Sequence, residues 1–167
     1  MAGGYSGTLY RALNPVYARD PLSGRGAEIY GGRFNAKGVP ALYTSLSVMT
    51  AIKEANQAGS LQPTTLVSYR AEISSVFDSR DEAALAAFDM DAAGLADDGW
   101  RDRMKRSGIA PTQSFAARLV AAGYQGLIVR SFAPGAGADD LNLVLWSWSS
   151  RGSALLTVID DENRLRR

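Results

Sequence analysis

The chain contains no cysteine and no histidine. Catalytic triads of the Ser-His-Asp or Cys-His kind are therefore excluded, and so are zinc sites built from Cys and His. Disulfides are excluded too, which is compatible with a reducing compartment. Any proton transfer has to use Asp, Glu, Lys, Tyr or water. The composition leaves open an all-oxygen magnesium or calcium site, but no EF-hand or P-loop spacing occurs.

Excess charge and long apolar runs are also lacking. The formal net charge is +1, which predicts no direct nucleic-acid binding. No apolar run approaches the ~20 residues that span a bilayer, and the first eight residues lack a signal-peptide core. We therefore expect a cytoplasmic protein without a membrane partner. The length of 167 residues fits a single domain, 1–167, with 1–7 as a flexible N-terminus and 161–167 as an exposed tail.

Hydrophobic periodicity predicts strands and helices without regular βαβ alternation, which favours an α+β fold. We expect mixed or antiparallel sheets flanked by helices. The predicted strands are 8–13, 39–45, 64–73, 126–132, 141–148 and 154–159, the last two joined as a hairpin through 149–153. The predicted helices are 47–58, capped by Ser45 or Ser47 and ending near Gly59, then 81–90, 98–107 and 112–122. Residues 133–140 form a Pro/Gly loop that we expect at the mouth of a pocket.

The most informative stretch is 31–45, which combines glycine turns, an arginine and a short strand. Glycines let the backbone approach a ligand closely, and Arg33 supplies a planar cationic fork suited to phosphate. Tyr43 offers a ring face. Glu54 follows nine residues after Ser45, on the flank of the apolar stripe of the predicted helix, from where a carboxylate can face a cleft. Together these residues predict a pocket for an aromatic, phosphate-bearing ligand.

Each of these residues also has an ordinary structural interpretation. Arg33 alone would be a surface ion-pair partner, for example of Glu28, and Tyr43 alone would be core packing. Glu54 beside Lys53 would be a solvated charge. The basic run at 101–106 is interpreted as a solvated helix face or as a docking face for an acidic partner, and the three tryptophans as packing residues. The joint pattern, in order and at its spacing, favours the functional interpretation.

In this order the residues resemble the RES-domain toxins of bacterial toxin–antitoxin pairs, a family named for an arginine, a glutamate and a serine. The matching residues of the first block are Gly31, Gly32, Arg33, Phe34, Asn35, Gly38, Tyr43, Ser45 and Glu54. Upstream, Arg11 lies in a segment similar to the family's opening. Ser131 matches the late serine, although Arg130 stands where the family usually has proline, and Asn142 lies in a strand similar to the family's closing segment.

The resemblance implies a fold like that of ADP-ribosyltransferase toxins, with NAD as substrate and no metal. Arg33, Tyr43 and Glu54 would be the catalytic residues. Arg33 would grip the pyrophosphate or a ribose, Tyr43 would stack on nicotinamide, and Glu54 would bond a ribose hydroxyl and stabilise an oxocarbenium ion. The residues expected to bind NAD are Arg11, Gly31, Gly32, Arg33, Asn35, Tyr43, Ser45, Ser131 and Asn142.

The resemblance implies that the chain is a toxin whose activity is cleavage of the nicotinamide–ribose bond of NAD. It would transfer ADP-ribose to a cellular protein as a mono-ADP-ribosyltransferase, or release it to water or phosphate as an NAD hydrolase or phosphorolase. The implied partner is an Xre-type helix-turn-helix antitoxin that covers the NAD cleft. The rival hypotheses are a non-catalytic nucleotide-binding module and, less compatible with the near-neutral charge, a ribonuclease.

Overall fold

The computed structural model describes residues 3–56 and 60–166. In this part of the chain the elements are, in order, β1 (Gly3–Leu13), α1 (Arg25–Tyr30), β2 (Leu42–Ser45), α2 (Val48–Ala55), β3 (Thr65–Asp78), α3 (Glu82–Ala86), α4 (Ala92–Leu95), α5 (Trp100–Ser107), α6 (Pro111–Ala121), β4 (Gly126–Arg130), β5 (Leu141–Leu145), β6 (Ser149–Ser150) and β7 (Ala154–Val158). Short 3₁₀ turns lie at Pro15–Tyr17 and Arg164–Arg166.

The strands form one mixed sheet in the order β1-β2-β5-β4-β3-β7-β6. Because β1 also pairs with β3, five of the strands close a circuit, β1-β2-β5-β4-β3. Residues 76–78 of β3 run parallel to 126–128 of β4, and the remaining pairings among the described strands are antiparallel. A mixed sheet with flanking helices confirms the predicted α+β class, while the single-domain extent stays a prediction.

Two hydrophobic clusters occupy opposite faces of the sheet. In β5, Leu143 and Leu145 belong to one cluster and Val144 to the other, because successive strand residues point to opposite faces. The second cluster packs the sheet against the helices, with Phe115 of α6 edge-on to Phe77 of β3 at a centroid distance of 6.0 Å. This packing fixes α6 beneath the sheet.

Two residues, Leu46 and Ser47, separate the end of β2 from the start of helix α2. Ser47 caps it, since its hydroxyl accepts the backbone N–H of Thr50 at 3.1 Å, which confirms one of the two predicted caps. Thr50 and Ala51 are buried, so the helix lies firmly on the sheet. It ends at Ala55; the end predicted near Gly59 lies outside the described residues.

The prediction of a flexible N-terminus over 1–7 is wrong for 3–7, which belong to β1 and pair with β3. Glycine is needed where the two strands lie close together, because a Cβ at Gly4 would lie 2.9 Å from the carbonyl oxygen of Ile73. At the other end, residues 161–164 are exposed, and the backbone N–H of Arg164 bonds to the Asp160 carboxylate.

The hairpin predicted from 141–148 and 154–159 is also wrong. Strand β5 ends at Leu145 because its two antiparallel neighbours begin opposite that residue, β2 at Leu42 and β4 at Gly126. The hairpin is a shorter one, in which Ser149 and Ser150 of β6 pair with β7.

The helical segments differ in extent from the predictions. The helix predicted over 81–90 is the shorter α3, followed by α4, and Asp81 and Asp91 cap the two. Helix α1 was not among the predicted helices, and β2 begins at Leu42 rather than at residue 39. Within residues 3–56 and 60–166, every helix is too short or too polar to cross a bilayer.

Candidate active site

A cleft of about 640 Å³ lies where the 31–34 turn, α5 and the strands β4 and β5 meet. A smaller cleft of about 230 Å³ adjoins it. Tyr43, Glu54 and Asn142 line both clefts and form the wall between them. Arg11 and Ser45 line the smaller cleft, and Gly31, Gly32 and Arg33 the larger one.

The Glu54 carboxylate lies at the centre of a hydrogen-bonded chain. Its Oε1 accepts the side-chain N–H of Asn142 at 2.6 Å and the hydroxyl of Ser131. The Oδ1 of Asn142 in turn accepts the Ser45 hydroxyl at 2.8 Å. Bonds to an ionised acceptor are stronger than neutral ones, so this chain orients the carboxylate toward the clefts.

Strand register assembles this group. Ser45 of β2 lies directly opposite Asn142 of β5, and β5 also pairs with β4, whose last residue precedes Ser131. Ser131 is buried behind Glu54 and lines neither cleft; it faces a separate cavity of about 430 Å³. The structure therefore brings together the glutamate, the serine and the asparagine predicted from the sequence.

The 133–140 loop is fastened to α2 through Asp140. The Asp140 carboxylate accepts hydrogen bonds from the Thr50 hydroxyl at 2.6 Å and from the Lys53 ammonium at 2.9 Å. The Thr50 hydroxyl, followed by the backbone N–H of Gly137 and by Lys53, holds the pKa of Asp140 well below its ordinary value. Residues 133–140 were expected at the mouth of a pocket, but they line neither of the two clefts, and the Asp140 carboxylate is engaged by α2.

Tyr43 uses its hydroxyl as well as its ring. The hydroxyl donates to Oδ1 of Asn35 at 2.5 Å and accepts the backbone N–H of Phe34 at 3.0 Å. Burial raises the pKa of Tyr43, which keeps the phenol protonated as a donor. Asn35 lies buried behind the turn and does not line either cleft. It holds the turn closed by donating to the carbonyls of Ala27 and Val39.

Gly32 is required by this arrangement. A Cβ at Gly32 would lie 2.3 Å from the Tyr43 hydroxyl oxygen and 2.5 Å from Oδ1 of Asn35. Gly31 is required for a different reason, since its φ of 72° lies in the left-handed region. The glycine pair therefore serves the turn that carries Arg33.

Gln113 of α6 is a functional-site residue that sequence reasoning missed. It is 1% exposed, and its Nε2 donates to the carbonyl oxygens of Gly32 and Asn35, each at 3.0 Å. The indole N–H of Trp146 holds the same turn by donating to the Phe34 carbonyl at 2.9 Å. The available signal was a polar amide on the buried face of a helix, beside Phe115, where a polar group needs a partner.

Arg33 lies in the larger cleft and is positioned by backbone carbonyls. Its Nη1 donates to the carbonyls of Leu95 at 3.0 Å and Asp97 at 2.9 Å, and its guanidinium lies 4.5 Å from the centre of the Phe132 ring. Burial lowers the pKa of Arg33. The ion-pair partner is Asp98, at 3.5 Å and 95% exposed, rather than Glu28, and such an exposed pair contributes little.

The larger cleft is strongly cationic. Four further basic residues line it together with Arg33, namely Lys37, Arg101, Lys105 and Arg130. Glu54 is the one carboxylate among its described lining residues. Of the basic run on α5, Arg101 and Lys105 thus face the cleft, while Arg103 pairs with Asp97 at 2.8 Å. A cleft lined by one sign of charge concentrates ligands of the other, so this one suits a polyanion.

Arg11 lies at the far side of the smaller cleft and is anchored by its Nη1, which donates to the Pro21 carbonyl at 3.0 Å. Across residues 3–56 and 60–166, no three carboxylates gather closely enough to hold a metal ion. The charged ligand groups available at the site are therefore the basic side chains and Glu54.

Comparisons with known proteins identify the family of the chain. The RES domain family model matches residues 8–166, and the chain belongs to the RES-domain family. A protein of Photorhabdus laumondii described as "Toxin Res" is 44% identical over 46 residues, which are 28% of this chain. The match spans about 30% of that relative's length.

A solved structure, the M. tuberculosis MbcT–MbcA toxin–antitoxin complex, contains a chain of similar fold. The TM-score is 0.70 at 23% sequence identity, over 95% of this chain and 84% of the other. At that identity the likeness shows a shared fold.

We expect Gly32→Ala to destabilise the chain by about 1–3 kcal/mol, the range for forcing atoms into a packed site. The added methyl has to displace Tyr43 or Asn35, which the rest of the turn holds in place. The measurement is urea unfolding followed by tryptophan fluorescence. Gly26→Ala is the matched control, since a Cβ there meets nothing within 4 Å; equal stability of the two variants would contradict the clash.

Proposed function

We propose that this chain is the toxin of a toxin–antitoxin pair and acts by breaking the nicotinamide–ribose bond of NAD. The observation that carries the proposal is the charge arrangement of the larger cleft, where Glu54 is a single carboxylate among five cationic side chains. A dinucleotide presents the complementary pattern: a diphosphate, and a ribose that becomes cationic during cleavage. Family membership supports the same activity.

The chemistry fits the residues present. Cleavage of the bond produces an oxocarbenium-like ribose, and nicotinamide leaves as a neutral molecule, so no strong acid is needed at the leaving group. The reaction needs a negative group near the developing positive charge. Glu54, oriented by Ser131 and Asn142, supplies it. A chain without histidine can therefore perform this reaction.

The binding roles follow from the positions of the side chains. Arg33 and the neighbouring bases of the larger cleft hold the diphosphate, because guanidinium groups bind phosphate oxygens in pairs. Tyr43 presents its ring to both clefts and holds nicotinamide by stacking. Gly31 and Gly32 allow the backbone to approach the ligand, Ser45 and Asn142 contribute polar contacts beside Glu54, and Arg11 binds at the smaller cleft.

We assign ADP-ribose transfer to a cellular protein as the reaction outcome, with a fold of the ADP-ribosyltransferase toxin kind and a cytoplasmic site of action. A second outcome has its own support. The smaller cleft reaches Glu54 and is lined by Arg11, and its volume suits a small acceptor. Water or phosphate there would make the enzyme an NAD hydrolase or phosphorolase.

One experiment separates these outcomes. Purified protein is incubated with NAD labelled in the adenylate, with and without cell lysate, and nicotinamide release is followed in parallel. Label on a protein band supports transfer. Free ADP-ribose, or ADP-ribose phosphate in the presence of phosphate, supports the second outcome. Binding of NAD without nicotinamide release would show a non-catalytic module and overturn the proposal.

We expect Glu54→Gln to lower kcat for nicotinamide release by ~10²-fold or more, since the amide keeps the size but removes the charge that stabilises the transition state. Steady-state kinetics on folded protein measures this. Glu82→Gln, the same change on exposed α3, is the control and should keep wild-type turnover. Near-wild-type turnover of Glu54→Gln would remove Glu54 from the mechanism.

Arg33→Lys should weaken NAD binding by roughly tenfold or more, because a lysine keeps the charge but has no fork to span two carbonyls and a phosphate. Calorimetric titration of NAD into the Glu54→Gln background isolates binding from turnover. Arg70→Lys, on an exposed position of β3, serves as the control. Unchanged affinity in Arg33→Lys would make Arg33 a purely structural residue.

The proposed partner is an Xre-type helix-turn-helix antitoxin that covers the NAD cleft. The similar fold in the MbcT–MbcA toxin–antitoxin complex supports a partner of the antitoxin class. We expect co-expression with a helix-turn-helix protein encoded by an adjacent gene to restore growth. The purified complex should turn over NAD at least ~10-fold more slowly than the free chain, because the bound antitoxin blocks the state that binds NAD. A complex that turns over NAD at the free rate would show that inhibition does not occlude the cleft.

A further inference from the structure

The three side chains around the proposed reaction centre come from three separate segments. Glu54 is on α2, Ser131 follows β4, and Asn142 is on β5. Strand pairing fixes Asn142 against β2 and β4, but it does not fix α2 relative to the 131–142 segment. Helix α2 rests on the sheet through Thr50 and Ala51, and the 2.6 Å bond from Asn142 to Glu54 also requires a direct tie between the helix and that segment.

Asp140 makes this tie with four hydrogen bonds. Its Oδ1 accepts the Thr50 hydroxyl at 2.6 Å, and its Oδ2 accepts both the Lys53 ammonium at 2.9 Å and the backbone N–H of Gly137 at 2.8 Å. Its carbonyl oxygen accepts the backbone N–H of Ser131 at 2.8 Å. One residue thus bonds to the helix, to its own loop and to the serine segment.

The contacts on α2 are placed to control Glu54. Thr50 lies four residues before Glu54, on the same side of the helix, and is 1% exposed. Lys53 immediately precedes Glu54. On the other side of the tie, Asn142 follows Asp140 by two residues. The tie therefore joins Ser131 and Asn142, which both donate to the Glu54 carboxylate, to the helix that carries it.

We propose that Asp140 is a positioning residue that sets Glu54 against Ser131 and Asn142. The geometric part of the proposal stands on the contacts above, and its effect on turnover rests on the proposed function. A carboxylate is specifically suited, because three donors converge on its two oxygens. An asparagine at this position has only one side-chain oxygen. Its amide NH₂ would replace the other oxygen and point at a hydrogen-bond donor, from which it cannot accept a bond.

The kinetic test compares Asp140→Asn with Asp139→Asn, a neighbour with the same charge change at an exposed position. We expect Asp140→Asn to lower kcat by roughly tenfold or more and to change KM for NAD less than about twofold, since the cationic lining is untouched. Asp139→Asn should match wild type, and Asp140→Glu should recover part of the loss. Unchanged kcat in Asp140→Asn would overturn the proposal.

A double-mutant cycle separates positioning from general loss of structure. If Asp140 acts through Glu54, Asp140→Asn should cost less than about twofold in the Glu54→Gln background, because coupled residues are not additive. An equal loss in both backgrounds would show that Asp140 supports the fold at large and would overturn the assignment. Thr50→Val removes one bond of the tie and gives a milder variant if Asp140→Asn fails to fold; it should lower kcat in the same direction.

A measurement without NAD keeps this inference distinct from the proposed function. The side-chain amide ¹⁵N–¹H signals of Asn142 report its bond to Glu54. We expect them to move in Asp140→Asn as they do in Glu54→Gln, and to stay in place in Asp139→Asn. Signals that move in Glu54→Gln but not in Asp140→Asn would overturn the proposal. A wild-type chain that does not turn over NAD would contradict the proposed function alone.

Discussion

A carboxylate drawn partly out of water has to be surrounded by donors, and this requirement organises the centre of the molecule. Ser131 and Asn142 donate to Glu54, and the Ser45 hydroxyl donates in turn to Asn142. These contacts require that β2, β5 and β4 be adjacent and in one register. A slip of one residue along β5 would turn Asn142 to the opposite face and bring the apolar Leu143 to the cleft. The order and register of the strands therefore determine which side chains surround Glu54.

The second organised feature is the turn that presents Arg33. Its backbone carbonyls are occupied by Gln113 and Trp146, residues distant in the chain, and its interior is filled by the Tyr43 hydroxyl and Asn35. Gly32 leaves room for that hydroxyl. Arginine is entropically costly to hold in one conformation. Here the carbonyls of Leu95 and Asp97 and the ring of Phe132 hold the guanidinium, and the exposed Asp98 adds little.

The sequence predicted the local part of this design, and the family resemblance added the distant residues Ser131 and Asn142, but other long-range contacts were missed. The block from Gly31 to Glu54 is recognisable because turn, strand, cap and helix follow one another directly, and Ser47 indeed caps α2. Gln113, Asp140 and the cleft-facing side of α5 were not predicted, because each acquires its role from a partner at least about 80 residues away or from a crossing of helices that no periodicity encodes. The wrongly predicted hairpin has the same origin. The apolar pattern predicted a strand over 141–148, but β5 stops at Leu145 because β2 and β4 begin opposite that residue.

The distribution of charge gives the cleft a direction. Cationic side chains from the 31–37 turn, α5 and β4 line the larger cleft, and Glu54 lies in the wall that separates this cleft from the smaller one. A ligand with a diphosphate and a ring-bearing ribose would therefore bind in one orientation, with the phosphates among the cations and the reacting ribose at the carboxylate. The proposed reaction needs no proton at its leaving group, so its rate depends on the placement of one negative charge rather than on proton transfer to nicotinamide. That dependence accounts for side chains such as Asn142, Gln113 and Asp140, whose hydrogen bonds hold other groups in place.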